Sequence, residues 1–381
     1  MKIAVNARFL IPDQLEGIGI FTHEVLKRWI SNHPEHHFVI FYDRHTGSWF
    51  GDYPNVTEDV AFPPARHPLL WLFWFEISLP AKLKKHQPDL FVSMDGFLPL
   101  NTDIPSLSVI HDLAFEHYPE DVPLSASLYY RHFFPRFAQK ADRIATVSEF
   151  SKNDIARQYN VDKNNIDVVY NGVNENFSPL DENQKQECRD RISLGQPYFI
   201  YVGALHKRKN IARLLKAFDH FRKKTGLPHK LVLIGRKAWK RTEMEQAYNE
   251  IDHANDVIFT GRISNDDLRK YLASATALTY VSYFEGFGIP LLEAMYCETA
   301  VITSSASCLP EVAGDAALFV DPGNVEDIAD KMQEVALNET LREELILKGR
   351  QQRQKFNWNK TADRMWQSVL GLGIGDGRRK D

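Results

Sequence analysis

Short runs rich in β-branched and aromatic residues alternate along this chain with longer stretches of helical period, and that alternation leaves few folds open. In the first half the strand candidates are Ile3–Val5, Phe38–Tyr42, Leu90–Ser93, Leu107–Ile110, Ile144–Val147 and Asp167–Val169. In the second half they are Tyr198–Val202, Leu231–Ile234, Val257–Thr260, Leu278–Val281, Val301–Thr303 and Leu318–Val320. Strands separated by helices pair in parallel, with helices covering both faces of the sheet. The chain is therefore read as α/β with two such sheets. Its 381 residues, at roughly 150 per domain, suit two domains with a core each.

The polar, turn-forming segment from Asn171 to Pro179 separates the halves. The expected division is a first domain over 1–175 and a second over 176–356. A C-terminal helix over 357–370 is free to pack back on the first domain. Residues 371–381 carry four glycines and a basic cluster and read as a disordered tail. Beyond Val320 the period turns helical, through Glu326–Ala336, Glu339–Gln354 and Thr361–Leu370.

Composition removes several classes of function. The 46 Lys and Arg against 50 Asp and Glu give a net charge of −4, without the basic excess of a protein that tracks nucleic-acid phosphates. No nucleic-acid partner is expected. Cys188, Cys297 and Cys308 are too few and too scattered for a disulfide framework or a zinc site, which suits a reducing compartment. Asn6 and Arg8 interrupt the apolar N-terminal run before an export signal could form. The longest apolar run, Leu69–Phe75, has seven residues, against about 18 for a membrane span. A cytoplasmic location follows as the expectation. The stretch Pro68–His86 sets Trp71, Trp74 and Phe75 ahead of Lys82, Lys84 and Lys85. It reads either as a surface for weak peripheral association with an anionic membrane or as a helix packing its aromatics on the first sheet.

In doubly wound sheets, ligands sit at the carboxyl ends of strands near helix N-termini. After Leu278–Val281 comes Glu285-Gly286-Phe287-Gly288-Ile289-Pro290-Leu291-Leu292-Glu293. Pro290 suits a first helical turn, and the two glycines let backbone approach a ligand closely. Glu285 falls in the strand-to-helix loop and Glu293 in the first turn of the helix, so both can face one bound molecule. A carboxylate accepts from paired sugar hydroxyls, which suits Glu293 to a ribose and Glu285 to a hexose. The alternative is that Glu293 complements the helix dipole and the glycines turn the chain. Gly17-Ile18-Gly19 raises a dinucleotide site, with Asp43 placed for a ribose. The fingerprint, however, needs glycine where Thr22 stands, and the loop from Asn6 is long for that turn. His111, after Leu107–Ile110, is either a site residue or an ordinary loop histidine. Ser148 either contacts a ligand or caps the helix near Glu149.

The Glu-x7-Glu element resembles the signature of retaining glycosyltransferases of family 4, in the large GT-B group that includes glycogen-synthase-like and mannosyltransferase enzymes. Tyr201-Val202-Gly203 followed by His206-Lys207-Arg208-Lys209-Asn210 resembles that family's strand and basic loop, and Phe259 to Ser264 its base-reading loop. Gly17-Ile18-Gly19, His111-Asp112 and Thr146 to Ser151 continue the likeness through the first half, to about Leu370 overall. It implies a GT-B fold, two Rossmann-like domains facing across a cleft. It also implies a nucleotide-sugar donor held by Lys209 and Arg208 at the diphosphate, by Gly261 and Ile263 at the base, and by Phe287, Gly288 and Glu293. Gly17, Gly19 and Ser148 would add donor contacts, and His111 and Glu285 would be the catalytic pair, Glu285 orienting the hexose. Domain closure would bring His111 and Gly19 over the sugar. Ala204 stands where many relatives carry arginine, which leaves Lys209 more of the phosphate charge.

No Asp-x-Asp pair occurs, so neither a metal nor any other cofactor is expected, the nucleotide sugar being a substrate. Similarity in the regions of Arg208 to Asn210 and His111-Asp112 favours GDP-mannose, with UDP-glucose next, and a saccharide or lipid-linked saccharide acceptor in surface polysaccharide synthesis. A non-hydrolysing sugar-nucleotide epimerase and a catalytically silent nucleotide-sugar binding protein are the other classes open at this point.

Overall fold

The computed structural model describes residues 1–12, 15–174, 176–236 and 243–374. The chain divides into two compact units, Met1–Gly172 with Asn357–Asp381, and Val173–Phe356. The first division falls three residues before the expected one, and Glu175 lies outside the described residues, as do residues 375–381 of the expected tail.

The first unit holds a seven-stranded sheet of β1 (Lys2–Asn6), β2 (His37–Tyr42), β3 (Val56–Val60), β4 (Leu90–Ser93), β5 (Ser106–Val109), β6 (Arg143–Thr146) and β7 (Ile166–Val168). Its order is β3-β2-β1-β4-β5-β6-β7, with every pairing parallel. The second holds a six-stranded sheet of β8 (Tyr198–Val202), β9 (Lys230–Ile234), β10 (Val257–Gly261), β11 (Ala277–Tyr280), β12 (Ala300–Ser304) and β13 (Leu318–Val320). Its order is β10-β9-β8-β11-β12-β13, again parallel throughout. A strand covered on both faces has no solvent side to alternate with, so β8 is buried along its whole length.

Strand order reverses once in each sheet, between β1 and β4 and between β8 and β11. At such a reversal the connecting segments leave in opposite directions and open a crevice at the strands' carboxyl ends. The sequence-read candidates follow these strands or their neighbours.

Strand β3 is absent from the sequence reading. It is an edge strand whose every residue is half-buried, and it carries Glu58 and Asp59. Glu58 is satisfied by long-range donors, the Tyr42 hydroxyl at 2.6 Å and the backbone N–H groups of Trp49 and Phe50 at 2.9 Å. The helix Trp358–Leu370 lies in the first unit against the helix Gly17–Asn32, where Trp29 Nε1 donates to the Ala362 carbonyl at 2.9 Å. Residues Pro68–His86 form one helical rod with a π turn at Trp74–Ser78. Trp74 and Phe75 are buried in the first core, so these aromatics pack inward.

Candidate functional site

Residues that follow β8 and β11 meet in the second unit. After β8 the chain forms a single 3-10 turn, Lys207–Lys209, and enters the helix Ile211–Thr225. Asn210, in the left-handed region at φ 62°, donates from Nδ2 to the carbonyls of Val281 at 2.9 Å and Pro322 at 2.7 Å. That anchor ties the basic turn to the end of β11. After β11 the loop reaches Gly288 at φ 95°, where a Cβ would stand 2.7 Å from Leu309 Cδ2. Only glycine serves there, and the helix Ile289–Tyr296 starts directly after it with Pro290 in its first turn.

Glu285 is buried at 6% exposure. Its Oε1 accepts from the Tyr280 hydroxyl at 2.8 Å and forms an ion pair with Lys209 Nζ, while Oε2 stands 3.4 Å from Arg208 Nη1. Lys209 also donates to the Tyr280 hydroxyl at 3.2 Å, and Arg208 to the Phe284 carbonyl at 3.0 Å. Burial alone would raise the Glu285 carboxyl, but the Lys209 and Arg208 charges outweigh it and hold the group below the usual carboxylate range. The structure thus brings Arg208, Lys209 and Glu285 into one cluster, and Lys209 is already engaged by Glu285.

Glu293 lies in the second turn of its helix, one turn deeper than the sequence placed it. Its carboxylate has no hydrogen-bond partner among the described residues, and burial pushes it up to about 7. An acid whose proton is held more tightly in the fold than in the open chain loses stability as pH rises from about 4.5 through about 7. Glu293→Gln is therefore expected to raise the Tm at pH 8, with a gain that shrinks toward pH 4.5; a pH-independent change would contradict the burial of this charge.

Gly261 ends β10 at φ 72°, with open space on the side where a Cβ would stand, and Ile263 beyond it is half-exposed. The Phe287 ring is buried against Phe356, centroids 5.7 Å apart, which leaves its backbone for the donor contact expected there.

In the first unit the helix Gly17–Asn32 begins after β1. Gly17 is open, whereas a Cβ on Gly19 would stand 2.7 Å from the Phe9 carbonyl oxygen, so close backbone approach fixes that glycine. His111, beyond β5, donates from Nε2 to the Met94 carbonyl at 3.0 Å, since a carbonyl can only accept. Burial lowers its pKa, so the ring is neutral near pH 7 and Nδ1 is left as an acceptor. Ser148 caps a helix. It is fully buried, and its Oγ accepts from Ser151 N at 3.0 Å as the cap of the helix Glu149–Tyr159. Asp43 is buried at 1% exposure and bound by Arg44 and by Ala65 N at 2.8 Å.

Two features escaped the sequence. Asp95, next to Met94, accepts from Arg8 Nε at 2.5 Å, Asn6 Nδ2 at 2.9 Å and Ser93 Oγ at 2.9 Å. It fixes the turn whose carbonyl orients His111. Tyr280 reads in the sequence as a strand former, yet burial keeps its phenol protonated and its hydroxyl positions Glu285. Its ring is stacked on Tyr201 at 5.7 Å. Tyr280→Phe is expected to lower kcat about tenfold with KM for the donor little changed, the loss of one charge-assisted hydrogen bond; an unchanged kcat would remove that role. Among the described residues no group of three or more His, Cys, Asp or Glu is placed to hold a metal ion, and no helix is long and apolar enough to cross a membrane.

Comparisons with known proteins match the sequence to a family. The profile described as Glycosyltransferase Family 4 matches residues 15–177, and that described as Glycosyl transferases group 1 matches residues 183–352. An O-antigen chain mannosyltransferase B of Escherichia coli is 26% identical over 372 residues, 94% of this chain and 96% of that one. The O-antigen chain mannosyltransferase RfbU of Salmonella typhimurium is 28% identical over 270 residues, 71% of each chain. Among solved structures, a sucrose-phosphate synthase from Thermosynechococcus elongatus superposes with a TM-score of 0.77 at 21% identity, over 98% of this chain and 99% of that one. At that identity the likeness speaks for the fold alone. With the two profiles matched in succession along most of its length, the chain belongs to glycosyltransferase family 4, as a glycosyl-transferring enzyme with two α/β domains of the GT-B type.

Proposed function

We propose that the protein is a retaining hexosyltransferase that moves mannose from GDP-mannose to a saccharide or lipid-linked saccharide acceptor in surface polysaccharide synthesis. The observation that carries the transferase chemistry is the cluster of Glu285, Lys209 and Arg208 at the reversal of the second sheet. The mannose assignment is supported by the O-antigen mannosyltransferases that the chain resembles along most of its length.

In this reading Glu293 accepts from the ribose hydroxyls, Gly261 and Ile263 border the base, and Arg208 with Lys209 faces the diphosphate. Glu285 orients the hexose. A carboxylate that already accepts from Tyr280 and is paired with Lys209 is a poor nucleophile. Neutral His111 offers Nδ1 to a hydroxyl of the transferred sugar. As the bond from anomeric carbon to phosphate oxygen breaks, the leaving diphosphate gains charge, which the cations and helix N–H groups stabilise. The acceptor hydroxyl attacks the same face, and its proton passes to the leaving phosphate.

Thermal shift with a panel of nucleotide sugars tests this reading. Ligand at about 100 times its Kd stabilises by about 2.7 kcal/mol, so GDP-mannose should raise the Tm most, and equally in the presence of EDTA. No shift with any nucleotide sugar would contradict the reading, and a shift that needs a divalent cation would contradict metal-independent binding.

A further inference from the structure

The second unit holds a further cavity, of about 280 Å³, that none of Glu285, Lys209, Arg208 and Glu293 lines. It opens at the start of the helix Ile211–Thr225. A helix start is commonly closed by a side chain that accepts from the first-turn N–H groups. Asn210 stands at that position and makes no such bond; its amide is anchored instead through Nδ2 to the Val281 and Pro322 carbonyls. The N–H groups of Ile211, Ala212 and Arg213 are left without a hydrogen-bond partner among the described residues, and all three residues line the cavity. The aligned peptide dipoles of a 15-residue helix place partial positive charge there.

A second observation sets this cavity apart from an ordinary helix end. Asn210 also lines it, is 2% exposed, and its Oδ1 has no hydrogen-bond partner. With Nδ2 tied to two carbonyls, Oδ1 is the end of the amide left to face the cavity. A buried acceptor in this state lowers stability until a donor meets it. Arg213 supplies a fixed charge. Its guanidinium lies over the Tyr283 ring, 5.5 Å from the centroid, and donates to the Tyr283 hydroxyl, which leaves further donors on the same fork. Tyr283 is held in turn by its N–H, which donates to the Arg208 carbonyl at 2.9 Å. Glu243, the one carboxylate on the lining among the described residues, is paired with Lys207 at 3.3 Å.

Donors suited to an anion, together with one buried acceptor, define the ligand: it carries negative charge and an O–H of its own. Hydrogen phosphate meets that through its P–OH, and a hexose phosphate through a sugar hydroxyl. Sulfate, fully ionised at neutral pH, does not. The volume lies just below the roughly 300–1,000 Å³ of sites for drug-sized ligands, which suits an ion or the phosphate of a single sugar.

We propose that this cavity is a phosphate site, in which the first-turn N–H groups and Arg213 hold the anion and Asn210 Oδ1 accepts from an O–H of the same ligand. The proposal depends on none of the donor chemistry above. Calorimetric titration of inorganic phosphate, mannose 6-phosphate and sulfate into the full chain at neutral pH tests it. One phosphate group per chain is expected to bind, with sulfate about tenfold weaker. Tighter binding of mannose 6-phosphate would assign the cavity to a sugar ester, and tighter binding of inorganic phosphate to the free ion. Ala212→Asp sets a carboxylate in the first helical turn, where it suits the dipole and repels an anion. It should keep or raise the Tm without phosphate and cut phosphate affinity about tenfold, which separates a lost site from lost folding. Arg213→Gln should also cut the affinity about tenfold. No binding of phosphate or its ester, an affinity unchanged in both variants, or sulfate bound as tightly as phosphate would overturn the proposal.

Discussion

Glu285→Ala is expected to lower kcat by roughly 10²–10³, the range for removing one group that acts on developing charge, while donor affinity falls little. The reason lies in what surrounds this carboxylate. It is buried, ionised and held by Tyr280, Lys209 and Arg208, so its direction is set before substrate arrives, and the contribution proposed for it is to orient the transferred hexose. Removing it releases Lys209 and Arg208 from their carboxylate partner, which leaves both cations at least as available to the proposed diphosphate as before. Steady-state kinetics read the split directly. A variant that keeps wild-type kcat would deny Glu285 any part in the reaction, and one that loses donor affinity with kcat intact would make it a binding group only.

Lys209→Ala acts in the opposite sense, on binding and on stability together. Lys209 and Glu285 are each less than a tenth exposed in their side chains, and breaking a buried pair by deleting one partner costs about 3 kcal/mol, because the remaining charge is stranded. Arg208, at 3.4 Å from Oε2, offsets part of that. A lowered Tm is expected, and GDP affinity reduced about tenfold or more, since Ala204 offers no cation to replace the missing one. Lys209→Ala combined with Glu285→Ala should recover stability relative to Lys209→Ala alone, the coupling of a contacting pair. Unchanged GDP affinity in Lys209→Ala would remove lysine from the diphosphate site, and additive Tm losses in the double variant would show that the pair is not coupled.

The parallel sheets were legible because a strand buried on both faces must be apolar throughout, as Tyr198–Val202 and Leu90–Ser93 are. Strand β3 was not, because Glu58 and Asp59 are made tolerable there by Tyr42, Lys82 and His86, which no local pattern announces. The same limit governs the site. Glu285, Lys209 and Arg208 could be named from their positions after strands, but that the lysine and the glutamate pair was invisible across 76 residues of chain. Asn6 and Arg8 register in the sequence only as breaks in an apolar run, although with Asp95 they fix the turn that orients His111. Packing around the motifs was equally hidden: the Ser148 hydroxyl caps a helix and the Phe287 ring packs on Phe356.

In the proposed reading the helix opened by Gly288 grips a nucleotide through the carboxylate of Glu293, which has no hydrogen-bond partner among the described residues. Calorimetric titration of GDP into the wild type and Glu293→Ala at pH 8 tests it most directly. One site per chain is predicted, with Kd about tenfold higher in the variant, the loss of hydrogen bonds to a charged acceptor. Equal Kd in the two proteins would contradict it.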